Sequence, residues 1–436
     1  MINMKKTASL LLILLLMITV CGCSNNTKIY NRLSENNNLS APEETGESTD
    51  SSVAGELTIY TFGTEPQLKY LANKYMQVHP NVVINIVNAD HDSETEMIAK
   101  LTSGEAGDII DLEKIDMYKY SGSGLFENLY KYMNDDPDWN EDDYYTNIFK
   151  AMEIDDRLLG MPYSFTYTTA RFNKTLLNEL GYNTDEINEI DCYGIYDIYL
   201  KAMRESHYGE NIKLSDWAMF DVEIGTFFNP VTDVCDFEGF EKYLSISKEI
   251  DAHKIGFTTF SNNPYIDDLT LTENQILKCI YPSPADMNIR QFKFQNDLNS
   301  LPVTVIDSDG NIPFTVTQGP YAISSRSAYK DLAWDFLKYC VSDIDYKSKM
   351  SRGMDFAGFC INRNTNAQFY DRINVNNTEG LFDDLDAFVD RLSVYSFYND
   401  AGEAIRKEVD KYLRGQNDEI ITAENCRKIA EKYMGE

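Results

Sequence analysis

Histidine is scarce in this 436-residue chain: there are four, scattered at His79, His91, His207 and His253. There is also no Gly-x-Ser-x-Gly elbow and no phosphate-cradling glycine loop after a strand. The residue sets for acyl transfer or nucleotide chemistry are therefore missing, and a non-enzymatic role is expected. Basic residues are few as well, 39 Lys and Arg against 70 Asp and Glu, leaving a formal charge of −31. Nucleic acid and anionic lipid surfaces are poor partners for such a chain, whereas solubility at a cell surface is well served. No apolar run reaches the roughly 20 residues that a bilayer-spanning helix needs. Tryptophan numbers three, against 29 Tyr and 22 Phe, most of which must pack cores. No CxxC pair occurs, and Cys192, Cys235, Cys279, Cys340, Cys360 and Cys426 are widely and irregularly spaced. Free thiols are expected, with Cys279 and Cys340 buried in apolar runs as small hydrophobes.

What is present begins with a leader. Lys5 and Lys6 precede an apolar run from Leu10 to Val20 and then Val20-Cys21-Gly22-Cys23. A basic start, a short apolar middle and a small residue before the cut describe a bacterial export signal over residues 1–22. The pattern resembles a lipobox cleaved between Gly22 and Cys23, so Cys23 becomes the lipidated first residue; bulky Val20 makes Cys21 the poorer choice. Residues 23–56 are then the lipidated cysteine and a tether rich in Asn, Ser, Glu and Thr. Such a stretch cannot offset the entropy of ordering by burial. About 30 flexible residues span on the order of 30 Å, enough to hold a domain clear of a membrane.

The remaining length suits two to three domains, and an apolar fraction of 43% is enough to build cores. Leu57-Thr58-Ile59-Tyr60 alternates as a strand. Thr64 and Gln67 have capping-box spacing, Leu68, Leu71, Tyr75 and Met76 recur at helical spacing, and His79-Pro80 ends the helix. Val82–Val87 reads as a buried strand, Met97–Leu101 as a helix, Asp108–Leu112 as a strand and Ile115–Tyr120 as the helix after it. This alternation predicts an α/β fold with a largely parallel sheet covered on both faces. Amphipathic helices are expected at 384–392, 401–413 and 424–433. The acidic stretch Asp90–Glu96 reads as a solvated helix start, and Asp307–Asn311 as a β-turn, in preference to metal loops.

The order of motifs resembles the family 1 extracellular solute-binding proteins of ABC importers, the maltodextrin-binding type. The resemblance is carried by Leu57–Tyr60, Tyr75–Val82, Gly107–Ile110, Gly124–Leu129, Asp156–Pro162, Ala170–Lys174, Gly319–Ser324 and Ala333–Tyr339. Within it, Arg157 follows two acids where the family has a glycine turn. It implies a two-lobed periplasmic-binding-protein-like fold with three interlobe crossings, near 165–169, 302–307 and 319–324, and a ligand cleft. Lobe one would hold 57–166 with 306–319, and lobe two 169–302 with 322–436. It also implies a monomeric receptor without cofactor or metal, held on the outer face of the cell membrane by its lipid, which passes a small ligand to ABC permease subunits.

Sugars stack their C–H faces on aromatic rings and hydrogen-bond their hydroxyls to carboxylates and amides, so both residue types must converge. The candidates from lobe one are Phe62, Gly63, Asp111 and Glu113 after strands, with Tyr163, Phe165 and Tyr167 alternating along the first crossing. From lobe two come Trp217, Asp221 and Glu223, then Ser283, Asp286 and Met287 after the strand at Ile276–Ile280, then Tyr395 and Tyr398 before the tail helix. A saccharide is the favoured ligand, with cationic peptides or polyamines as the alternative. Two other classes stay open: a surface sensor docking on a receptor kinase, and a secreted hydrolase with an acid and base paired across the cleft.

Overall fold

A computed structural model describes residues 50, 52–62, 65–215, 227–231, 234–249, 273–280, 299–307, 309–342, 358–366, 385–395 and 397–435. The leader, Cys23 and most of the tether lie outside these residues. No helix among the described residues is long and apolar enough to cross a membrane.

The chain enters through β1 (Ala54–Thr61), α1 (Glu65–Val78) and β2 (Asn81–Asn88), a unit whose strands pair in parallel along their full length. Leu68, Leu71, Ala72 and Tyr75 bury one face of α1, and the helix stops before Pro80, whose missing N–H cannot continue it. Helix α2 (Glu94–Ser103) begins with a capping box in which Ser93 and Glu96 satisfy each other's backbone amides. The acid-rich stretch before it is therefore a capped helix start, with Asp92 bound to Lys100 at 2.6 Å. Gly107, at φ 82°, lets the chain pass beside β1; a Cβ there would lie 2.6 Å from the Thr58 carbonyl oxygen. The chain then forms β3 (Ile109–Asp111), parallel to β1, and α3 (Met117–Tyr120), which Asp116 caps. Helices α4 (Leu129–Asp135) and α5 (Thr146–Ala151) follow. In the turn bridging Ile154 and Arg157, Asp155 and Asp156 take left-handed φ values of 52° and 57°, the conformation a glycine would hold without strain.

Strands β4 (Ser164–Tyr167) and β5 (Thr169–Asn173) are separated by one residue yet belong to different sheets. Beyond β5 run α6 (Lys174–Glu179), β6 (Glu189–Ile190), α7 (Cys192–Glu205), β7 (Lys213–Ser215), the hairpin β8 (Phe228–Asn229) and β9 (Val234–Cys235), α8 (Phe237–Glu249), β10 (Gln275–Ile280) and β11 (Ser300–Val305). Strands β12 (Ile312–Gln318), β13 (Tyr321–Ile323), α9 (Lys330–Ser342), β14 (Phe359–Cys360), α10 (Leu385–Val389) and β15 (Leu392–Tyr395) come next, and α11 (Asp400–Leu413) and α12 (Glu419–Gly435) close the chain.

The main sheets have strand orders β13-β3-β1-β2, β6-β11-β5-β10-β7 and β14-β4-β12-β15. The first and third bury their side chains in one core, together with Trp334, Phe336 and Leu337 of α9. The second sheet packs against α7, α8, α11 and α12 in a separate core. Burying a residue such as Phe336 or Phe172 contributes about 2 kcal/mol each, so each lobe has its own means of stability.

Two boundaries differ from the sequence expectation. Residues 322–395 were expected in lobe two, but β13 pairs with β3 antiparallel, Tyr321 facing Asp111, and α9, β14 and β15 bury their apolar faces in the first core. The third passage between cores therefore runs from Tyr395 to Asp400, and Gly319–Ser324 lies wholly within lobe one. The expected helix over 384–392 is also shorter: α10 ends at Val389, and Leu392 begins β15 beside β12. Cys192, Cys340, Cys360 and Cys426 are buried, and Cys235 is exposed. Asp307 forms the expected turn, its carbonyl accepting from the Gly310 amide at 3.2 Å.

Candidate functional site

Because β1 and β3 run in parallel, their C-terminal ends lie side by side, the position at which open α/β sheets hold ligands. Phe62 follows β1, and Asp111 and Glu113 sit at and after the end of β3. Asp111 is wholly buried. Its Oδ2 accepts from the Phe62 amide and the Thr61 hydroxyl, each at 3.2 Å, and its Oδ1 accepts from the Glu113 amide at 3.0 Å. One carboxylate thus ties the two strand-end loops together. Burial pushes the Asp111 carboxyl up to about 6, and the same three hydrogen bonds hold it from rising further.

Glu113 is the carboxylate that this tie presents. Its side chain reaches solvent, yet protein atoms crowd around it. That crowding, and next the charge of Asp111, push the Glu113 carboxyl up to about 7, against the pull of Lys114. Lys114 lies 5.0 Å from the Phe62 ring centroid and 3.7 Å from the Asp90 carboxylate. The Phe62 ring itself is 3% exposed, so Lys114 covers it. Tyr395 closes this side: it stacks on Phe314 at 5.4 Å. Burial first, and then the charges of Asp111 and Glu113, raise its hydroxyl well above the usual tyrosine range.

Other candidates fall elsewhere. Phe165 packs on Tyr145, Phe314 and Phe359, and Tyr167 on Phe359 and Phe388, so both are core residues of lobe one, where the sequence expectation had them facing the cleft. Alternation along β4 accounts for this: the side of the strand that meets the aromatic core takes residues 165 and 167. Tyr163 is likewise buried in the first core. Tyr398 is 40% exposed just before α11. Gly63, Trp217, Asp221, Glu223, Ser283, Asp286 and Met287 lie outside the described residues.

Sequence reasoning missed a second cluster, beyond the loop that carries Glu113. A cavity of about 640 Å³ opens between α3 and the pair α11 and α12, bordered by Tyr118, Lys119, Asp400, Lys432 and Tyr433. Asp116 and Lys119 were readable only as a helix cap and a surface cation; Tyr433 fits the apolar stripe of its own helix. Nothing local in the sequence joins them.

The raised carboxyls have a consequence for stability. Between about pH 4, where a free glutamate ionises, and pH 7, native Glu113 holds a proton that the unfolded chain has lost, so its contribution to stability falls as pH rises through that window. Glu113→Gln removes the effect. The stability of the variant relative to wild type should therefore climb from pH 4 to pH 8 in denaturant titrations, and a flat or falling difference would contradict the assignment.

No protein-family model matches the chain, and no curated protein matches it by sequence. Solved structures do match in three dimensions. An extracellular solute-binding protein family 1 member from Alicyclobacillus acidocaldarius aligns over 89% of this chain and 100% of its own, at 14% identity and a TM-score of 0.59. The sugar-binding protein MalE from Xanthomonas citri aligns over 87% and 98%, at 14% identity and a TM-score of 0.61. An ABC transporter solute-binding protein from Agrobacterium vitis with bound D-mannitol aligns over 87% and 98%, at 15% identity and a TM-score of 0.57. With two cores and three passages between them among the described residues, this chain has the two-lobed α/β fold of the extracellular solute-binding proteins.

Proposed function

We propose that this chain is the lipid-anchored solute-binding receptor of an ABC importer, capturing a small saccharide between its lobes and passing it to permease subunits. The reading rests chiefly on the exposed Glu113 and Lys114 at the paired ends of β1 and β3, above the buried rings of Phe62 and Tyr395. Carboxylate and ammonium are groups that hydrogen-bond the hydroxyls of a polyhydroxylated ligand. The names of similar folds, a sugar-binding MalE and a mannitol-bound receptor, add support. Ligand touching both lobes only when they are closed shifts the population toward closure, and no bond is made or broken.

A thermal-shift screen over mono-, di- and oligosaccharides tests this. A true ligand at 100 times its Kd stabilises by about 2.7 kcal/mol through mass action. Stacking and hydroxyl hydrogen bonds make that shift nearly indifferent to salt. A second reading has one observation in its favour: Asp90 and Asp111 both add negative charge around Glu113. A cationic peptide or polyamine would exploit that field, and its binding would weaken steeply with salt, because charges are screened over about 10 Å at 0.1 M. Stabilisation by cations alone, lost at high salt, would replace the saccharide reading.

A further inference from the structure

The passage from Tyr395 to Asp400 ends against lobe one, and the contact there is built around one buried carboxylate. Asp116 is wholly buried. Its Oδ1 accepts from the Lys119 amide at 3.0 Å and from the Tyr433 hydroxyl at 2.5 Å, and its Oδ2 accepts from the Asp400 amide at 2.8 Å. Each oxygen thus takes a donor from the other lobe. The Tyr433 ring stacks on Tyr118 of lobe one at 5.6 Å and meets Phe228 of the second core edge-on at 5.9 Å. Around this centre, Lys119 Nζ lies 2.6 Å from the Asp400 carboxylate and 3.4 Å from Glu94, which itself accepts from the Asp116 amide at 2.9 Å.

Hydrogen bonds to a buried carboxylate are the strong kind, and a carboxylate deprived of them in the interior is costly. The Asp400 amide belongs to the first turn of α11, and Tyr433 to the last turns of α12, which packs on α11 within the second core. The two donors therefore move together with lobe two. Asp116 lies five residues beyond Asp111, which is rooted in lobe one, so the loop carrying Glu113 is pinned at both ends.

We infer that Asp116, Asp400 and Tyr433 form an interlobe latch that sets the angle between the lobes and, through the loop 111–116, the position of Glu113. Rotation about the three passages has to release the Tyr433 hydroxyl and the Asp400 amide from Asp116. The latch thereby regulates access to the site, and this inference rests on the receptor reading above.

Hydrogen exchange of the Asp400 amide reads the latch directly, since that amide is one of its bonds. Tyr433→Phe removes one hydroxyl and keeps the ring. Losing one hydrogen bond to a charged group should shift the latched-to-released ratio roughly tenfold to a hundredfold. Exchange at Asp400 should accelerate by a similar factor, with the melting temperature of lobe one's core little changed, and solution scattering should show a different radius of gyration before any saccharide is added. Should Tyr433→Phe fail to fold, Lys119→Met, on an exposed side chain, loosens the same contact from lobe one. Unchanged exchange at Asp400 in a folded variant overturns the latch. The two readings separate cleanly: if a saccharide compacts wild type and Tyr433→Phe equally from the same starting radius, the latch is wrong and the receptor stands. If Tyr433→Phe speeds exchange while no saccharide binds, the latch stands and the receptor's ligand class falls.

Discussion

Asp111→Ala is expected to lower the unfolding free energy by about 3 kcal/mol and to abolish most of any ligand-induced stabilisation. The substitution removes the Asp111 acceptor from the buried Phe62 amide, from the part-buried Glu113 amide and from the Thr61 hydroxyl, and a buried donor left unsatisfied costs about 1–3 kcal/mol. Part of that loss is offset, because the carboxyl pushed up to about 6 is itself opposed by burial. Asp111→Asn should fall between wild type and Ala, since its oxygen can serve one loop while its NH2 faces the donors of the other. Urea titrations of the three proteins check the order. A change under about 0.5 kcal/mol for Ala, the range of ordinary surface substitutions, would show that the tie between strand ends is not what holds them.

Cys23→Ala should leave the protein either uncleaved, still carrying the apolar run Leu10–Val20, or released from the membrane as a soluble form. On the proposed reading Cys23 carries two acyl chains, which would give a lasting hold that one chain does not, and a leader without its cysteine would be either uncleaved or cut without anchoring. Fractionation and N-terminal sequencing measure this. Wild type free in the medium, with a mature end other than Cys23, contradicts it.

Much of the architecture is legible in the sequence because it is written in local periodicity. The helix at 65–78 announces itself by apolar spacing and by Pro80, and the tail helices by stripes that include Ile405, Val409 and Tyr412. Tyr321-Ala322-Ile323 shows the opposite case. A short apolar run states that it is buried, but its partner strand Ile109–Asp111 is remote in sequence, and only that pairing assigns it to lobe one. Leu392 misleads for a related reason: its spacing from Phe388 suits a helix, while the free edge of β12 offers it a strand. In the site, Glu113 could be found because it follows a strand. Asp111 could be found at its strand end but its three donors could not, since a carboxylate there looks alike in sequence whether it meets a ligand or its own chain. Phe165 and Tyr167 were drawn to the cleft by alternation alone, which fixes that they share a face and leaves open which face is the core.

The measurement that tests the central claim most directly is solution scattering of the purified protein with and without a saccharide that raises its melting temperature. Two cores joined by three passages, with a site at the junction, predict a smaller radius of gyration in the presence of ligand, reversing when ligand is removed. An identical scattering curve at saturating ligand would contradict closure around the ligand and leave the fold without the function argued for it.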